Sequence, residues 1–219
     1  MSSDVDICNL AVGHLGDDAS ISSLNPPEGS AQADHCARFY PIARDSLLEM
    51  HNWGFATKRI KLALLSSGWP EWDYSYAQPN DMLQALAVLP QDATDDYSQP
   101  GFVPASVPIP VFGAYVPQPY AVESDAAGNN LIYTDQQNAV LRYTARVTDV
   151  TKFSPLFTMT LSWHLASMLA GPVIKGDAGA AEAKRCAAMM QLWLGKAIES
   201  DANQRKSNTQ HIVSWMAGR

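Results

Sequence analysis

The 219 residues include 22 acidic and 15 basic side chains, a formal net charge of −7, with 47 % hydrophobic and 17 % charged residues. A chain of this length can bury one sizeable core, or one core plus a smaller lobe. Its negative balance argues against a protein that grips phosphates by bulk attraction.

Over residues 4–16, Ile7, Leu10, Ala11 and Leu15 recur at helical spacing, and Gly16 is a natural stop. After a turn-rich link, SSLNPPEGS, a second helix is expected from about Ser30 to His51, with Cys36, Phe39, Tyr40, Ala43, Leu47 and Met50 as its apolar stripe. Pro41 stands inside that stripe, so a kink or break is expected there. The period then changes from near 3.6 to 2 across Trp53-Gly54-Phe55, and Thr57–Leu65 reads as a strand. Trp72, Tyr74 and Tyr76 alternate, Gln78-Pro79-Asn80-Asp81 turns the chain, and Met82–Leu89 is a second apolar strand. Residues 130–134 and 138–147 supply two more, making a small antiparallel sheet. Seven of the fourteen prolines lie between Pro90 and Pro119, a density suited to extended backbone. Residues 90–128 are therefore expected to form a long Pro-rich insertion, partly strand-like, projecting from the sheet.

The last third is helical. Ser154-Pro155 caps and starts a helix whose stripe is Phe157, Leu161, Leu165, Met168 and Leu169, and Gly171-Pro172 is its expected end. Asp177 is the expected cap of the next helix, with Ala183, Cys186, Met190, Trp193 and Ala197 facing inward. The expected fold class is α+β. A four-helix bundle would be formed by the N- and C-terminal helix pairs (1–55 and 151–199), with a β domain at 56–150 and a C-terminal arm at 200–219.

Little chemistry announces itself. The opening MSSDVDICNL has no basic run ahead of an apolar one, and no stretch of about 18 apolar residues exists, so neither signal peptide nor membrane span is expected. Cys8, Cys36 and Cys186 are odd in number and far apart, which suits reduced, buried thiols made in a cytoplasm. Nucleophile-elbow, phosphate-loop, H-E-x-x-H and C-x-x-C patterns are absent. His35, Cys36 and Cys8 could approach one another if the first two helices pack, but buried thiols beside a surface histidine is the plainer reading. No catalytic residue, metal or cofactor is expected. The rival reading is a virion-associated glycoside hydrolase acting on host polysaccharide, with Asp92, Asp95 and Asp96 as candidate acids beside Asp73 or Asp81. These stand in turn-like, solvated sequence without the apolar pocket that raises an acid's pKa.

Charge distribution says more. Between Leu62 and Leu141 no Lys or Arg occurs, while Glu71, Asp73, Asp81, Asp92, Asp95, Asp96, Glu123, Asp125 and Asp135 do. The remaining sequence holds 15 basic and 13 acidic residues, so the sheet and its insertion look strongly acidic and the helices almost neutral. Such a surface is either a domain kept soluble by its own field or one that faces a polyanion without holding it.

An ordered set of motifs then carries a resemblance. Residues 9–16 (NLAVGHLG), 47–59 (LLEMHNWGFATKR), 72–79 (WDYSYAQP) and 153–157 (FSPLF) occur in the order found in tail tubular protein A, the head-to-tail adaptor family of short-tailed bacteriophages. That family shows an N-x-A-L-x-x-L-G start, a helix ending L-x-x-H-P-W-N-F-A-T-K-R, a W-x-Y-x-Y-x-L-P strand and a late F-x-P-x-F-x-x-A-L helix. Asn52 stands where proline is usual and Gly54 where asparagine is usual. The insertion at 90–128 has no counterpart in the pattern.

The resemblance implies a structural virion protein: one wedge of a twelve-membered ring between the portal protein and the tail nozzle (tail tubular protein B-like). DNA would pass through its channel without specific binding. The protein would be made in the host bacterial cytoplasm, without membrane contact, and reside at the head-to-tail interface. Trp53 and Phe55 are then expected at the bundle–sheet junction. Ile212, Val213, Trp215 and Met216, behind a spacer containing Arg205 and Lys206, form a candidate portal-docking arm. Asp92, Asp95, Asp96, Glu123 and Asp125 are candidates for lining the channel.

Overall fold

The computed structural model describes residues 3–65, 70–91 and 118–204. Its architecture is mixed α+β, with four helices and two antiparallel sheets. The chain divides into two compact units, Met1–Thr57 with Thr144–Gln204, and a second built on Lys58–Tyr143.

The first unit holds all four helices: α1 (Asp4–His14), α2 (Ala31–Glu49), α3 (Pro155–Ile174) and α4 (Gly176–Asn203). Three begin on serine. Ser3 Oγ accepts the Asp6 N–H while the Asp6 carboxylate accepts the Ser3 N–H, a reciprocal capping box. Ser30 and Ser154 each accept the N–H three residues on, at 3.2 Å. Helix α3 packs against α1, α2 and α4. It buries Phe157, Leu161, Leu165, Ala166, Leu169 and Ala170 together with Thr160, Ser162 and His164, so it is covered on more than one side.

Two helix boundaries differ from expectation here. Of the kink or break expected at Pro41 the break does not occur: Pro41 lies inside a continuous α2, because losing one backbone donor is offset by burying Cys36, Tyr40, Ala43, Leu47 and Leu48. Gly171-Pro172 does not end α3, because neither takes the left-handed backbone of a stop; Lys175 (φ 63°) and Gly176 (φ 61°) do, and Asp177 falls in the first turn of α4 instead of capping it.

The second unit contains the strands β1 (Thr57–Lys61), β2 (Leu64–Leu65), β3 (Tyr74–Ala77), β4 (Met82–Leu89), β5 (Tyr120–Ser124), β6 (Asn130–Thr134) and β7 (Val140–Ala145), the last crossing into the first unit at Thr144. They form two sheets where one was expected, ordered β1-β7-β4 and β2-β3-β6-β5. The run 57–65 is not one strand: it breaks at Leu62 and Ala63 and serves both sheets. Tyr76 pairs with Ile132 and Leu64, and Val122 with Ile132 on the other side of β6. Residues Tyr120–Ser124, assigned in sequence to the insertion, are a regular strand paired with β6. Residues 92–117 of the insertion and 205–219 of the C-terminal arm fall outside the described residues, while 200–203, expected in the arm, belong to α4. Among the described residues no helix is long and apolar enough to cross a membrane.

Gly179 shows how closely α4 lies on α3. A Cβ there would come 2.9 Å from the Ala170 carbonyl oxygen, whereas one at Gly195 would meet nothing within 4 Å. Alanine normally favours a helix over glycine by about 1 kcal/mol. Gly195→Ala is expected to raise the thermal midpoint and Gly179→Ala to lower it, in circular-dichroism melts; equal effects would show that the helices do not touch at this point.

Candidate functional site

The sequence points first to the aromatic corner. A short 3₁₀ turn, Gly54–Ala56, connects the end of α2 to β1, and the Trp53 carbonyl accepts the N–H groups of Ala56 and Thr57 and the Thr57 hydroxyl. Trp53 is 1 % exposed, and its Nε1–H donates to the Leu47 carbonyl at 2.9 Å. Its ring meets Phe157 edge-on at 5.0 Å. Phe55 meets Phe157 edge-on at 5.0 Å and Phe153 at 5.7 Å, and Phe153 and Phe157 lie 4.7 Å apart. Two motifs about a hundred positions apart, W-G-F and F-S-P-L-F, thus form one cluster, held by area burial and favourable ring geometry. All of it lies in the first unit.

Gly54 has a partner that sequence reasoning missed. Its N–H points between the two carboxylate oxygens of Asp201, 3.1 Å from each, and His51 Nε2 lies 3.4 Å from the same carboxylate. A Cβ at Gly54 would sit 3.3 Å from Asp201 Oδ1, so the asparagine usual in the family pattern would push that carboxylate aside. Nothing in the sequence marks Asp201, one of several acids on a polar helix end.

Charged and polar groups elsewhere are mostly committed. Asp45 bridges the buried Arg44 (2.7 Å) and Arg146 (2.8 Å), tying α2 to the segment after β7. Asp81 is held by Lys58 at 2.6 Å and by the Tyr143 hydroxyl at 2.9 Å. The Lys58 ammonium and, less strongly, Tyr143 keep its carboxyl below the usual range, while burial beside Asp81 pushes the Tyr143 phenol up to about 12. An acid so stabilised in its ionised form is a poor proton donor. Asp125 accepts the Ala127 and Asn129 N–H groups and the Asn129 side chain, closing the β5–β6 turn, and Asn129 lowers its pKa. Glu123 is exposed on β5, while Asp92, Asp95 and Asp96 lie outside the described residues. So do Arg205, Lys206, Ile212, Val213, Trp215 and Met216.

Two Ser–His pairs invite comparison with a nucleophile and its base. Ser162 Oγ lies 3.0 Å from His14 Nε2, and Ser46 Oγ 3.0 Å from His164 Nε2. In each, however, the hydroxyl donates its single proton to a backbone carbonyl, Met159 or Ala43. With that proton so placed the histidine is the donor, a tautomer that turns no lone pair to the serine. His164 Nδ1 is buried with no hydrogen-bond partner, and burial holds the histidine's pKa below its ordinary value. His14, stacked on Trp163 at 3.6 Å, is lowered by burial and by Arg185.

Cys8 and Cys36 are fully buried side by side: the Cys8 thiol, hydrogen-bonded to Cys36 and buried, is pushed up, while the same bond holds Cys36 below its ordinary value. Among the described residues no three His, Cys, Asp or Glu side chains gather as a metal would need.

Charge must be reassigned once the units are known. Lys58, Arg59, Lys61 and Arg142, which bracket the cation-free window, belong to the second unit. Residues 58–143 of that unit have four basic and nine acidic side chains, and the first unit eight and thirteen, so both stretches carry −5. The near-neutral helical part expected from the sequence is thus not found. The compensating charge sits in residues 205–219, with three basic side chains and no acidic one.

No protein-family model matches the chain, and no curated protein matches it either.

Two outcomes test this picture. Trp53→Ala should cost about 3–5 kcal/mol in urea unfolding, against a near-zero effect for Ile42→Ala at an exposed position; comparable losses would deny the cluster its central place. Both histidines have depressed folded pKa values, so below about 6.5 the unfolded chain binds more protons and stability falls as pH drops, with further loss near pH 4 as the stabilised carboxylates protonate. His164→Gln should flatten the dependence of the melting midpoint between about pH 7 and 5; an unchanged slope would mean His164 is not held neutral.

Proposed function

We propose that this chain is a head-to-tail adaptor of a short-tailed bacteriophage, a structural protein of the virion and not an enzyme. The observation that carries the reading is the aromatic corner. Two of the adaptor-like motifs, W-G-F and F-S-P-L-F, far apart in the chain, supply the rings of one buried cluster. Shared shape at such a junction is what a wedge in a ring requires, since each copy must present identical faces to its neighbours.

In this reading the four helices act as a bundle fixed against the portal protein, twelve copies close a ring, and the tail nozzle attaches on the far side. The Pro-rich part of the insertion at 90–128, ahead of β5, is a second contact arm of the β domain. Residues 200–219 dock on the portal. Their polar, basic spacer and the Ile212, Val213, Trp215 and Met216 cluster suit a groove that is apolar with an acidic rim. DNA passes without specific binding: both units carry net negative charge, which provides no counterion release to hold a duplex.

Mixing the protein with purified portal rings and imaging the product is expected to show a second ring with the portal's own rotational symmetry. A chain lacking residues 208–219 should keep its melting midpoint and lose portal binding. Portal rings without added density beneath them would overturn the assignment, and undiminished binding of the shortened chain would overturn the role of the arm.

A further inference from the structure

The second unit has a concavity of unusual composition for a surface of charged residues: every described side chain that lines it is a carboxamide. It is an open depression of about 460 Å³ lined by Gln91, Gln136, Gln137 and Asn138, four neutral carboxamides. Three of them come from the link between β6 and β7, and that link is fastened from beneath. The Tyr76 hydroxyl, on a side chain only 1 % exposed, donates to the Gln136 carbonyl at 2.8 Å and lies 3.5 Å from the Ala139 N–H. The Gln136 N–H donates to Thr134 Oγ1, the Gln137 carbonyl accepts from Gln136 Nε2, and the Ala139 carbonyl accepts the Leu62 N–H. Asn138 completes the link with a left-handed backbone, φ 53°.

Much of the link's main chain is therefore already satisfied, and what it presents outward is side-chain amide. Gln137 and Asn138 make no side-chain hydrogen bond among the described residues. Gln91 Oε1 takes Lys61 Nζ at 3.4 Å, and its NH₂ group has no partner among the described residues.

We propose that this depression binds a neutral sugar unit. A carboxamide offers two donors and an acceptor at fixed spacing, the complement of adjacent hydroxyls that each donate and accept. The volume lies within the range of small-ligand sites. Among the described residues the lining carries no charge, Gln91 engages Lys61, and Asp135 at the start of the link disfavours an anionic ligand. A peptide strand is disfavoured because the main-chain partners it would need are in use. This inference is independent of the adaptor reading, and either can fail alone.

The test is a titration of the full ¹⁵N-labelled chain with methyl glucoside, methyl galactoside or N-acetylglucosamine, with glucuronate as the anionic comparison. Saturable shifts of the side-chain amides of Gln91, Gln136, Gln137 and Asn138 with a neutral sugar are expected, with millimolar affinity, of the order a few hydrogen bonds provide. Gln137→Ala with Asn138→Gly should weaken binding at least tenfold, on the order of 1.4 kcal/mol. Glycine tolerates the left-handed backbone, so the link keeps its course. No shift up to about 100 mM sugar, an equal response to glucuronate, or binding undiminished in the double variant would each overturn the site.

Discussion

The need to cover one helix organises the first unit. Helix α3 buries Phe157, Leu161, Leu165, Ala166, Leu169 and Ala170, and α1, α2 and α4 each take part of its surface. Such a helix is unstable alone, since its apolar area has no exposed side to prefer. Its polar residues are turned to use within that packing: Ser162 and His164 find partners on α1 and α2, and Thr160 bonds back to Leu156. The aromatic corner extends the same principle. Phe153 and Phe157, at the start of α3, receive Trp53 and Phe55 from the chain leaving α2. Burial of these rings fixes where the helical unit hands the chain on to β1.

Helices and most strands were legible in the sequence because their signals are local. Serine caps, apolar spacing and alternating aromatics marked α2, α3, β3 and β4 closely. The failures have a common cause in tertiary packing. Pro41 and Pro172 are tolerated because burial of their helices outweighs one missing donor each. The run 57–65 carries no glycine, proline or other turn residue, and nothing local reveals that it divides between two sheets. Five residues of β5 were hidden in a proline-dense neighbourhood, where composition spoke louder than the alternation of YAVES.

The candidate site was legible in part, for the same reason. Trp53, Phe55 and Phe157 stand out as residue types, so the cluster could be anticipated from its members. Asp201 could not, since its partner is a backbone N–H 147 positions away. Charge gave a subtler lesson. The cation-free window is real as a string, yet β1 and β7 fold four cations onto the same unit, and net charge belongs to units, not to windows. What survives is a sharper contrast between an anionic body and fifteen residues without a single carboxylate side chain.

Asp201 stands three residues before the end of the described chain, and it grips the corner at Gly54. The origin of the last segment is thereby moored close to where the polypeptide departs from α2. Tension applied beyond residue 204 would enter the helical unit at this mooring as well as along α4, and would be felt by the tryptophan next to Gly54. A tug on the terminus and a strain on the corner are, mechanically, one event.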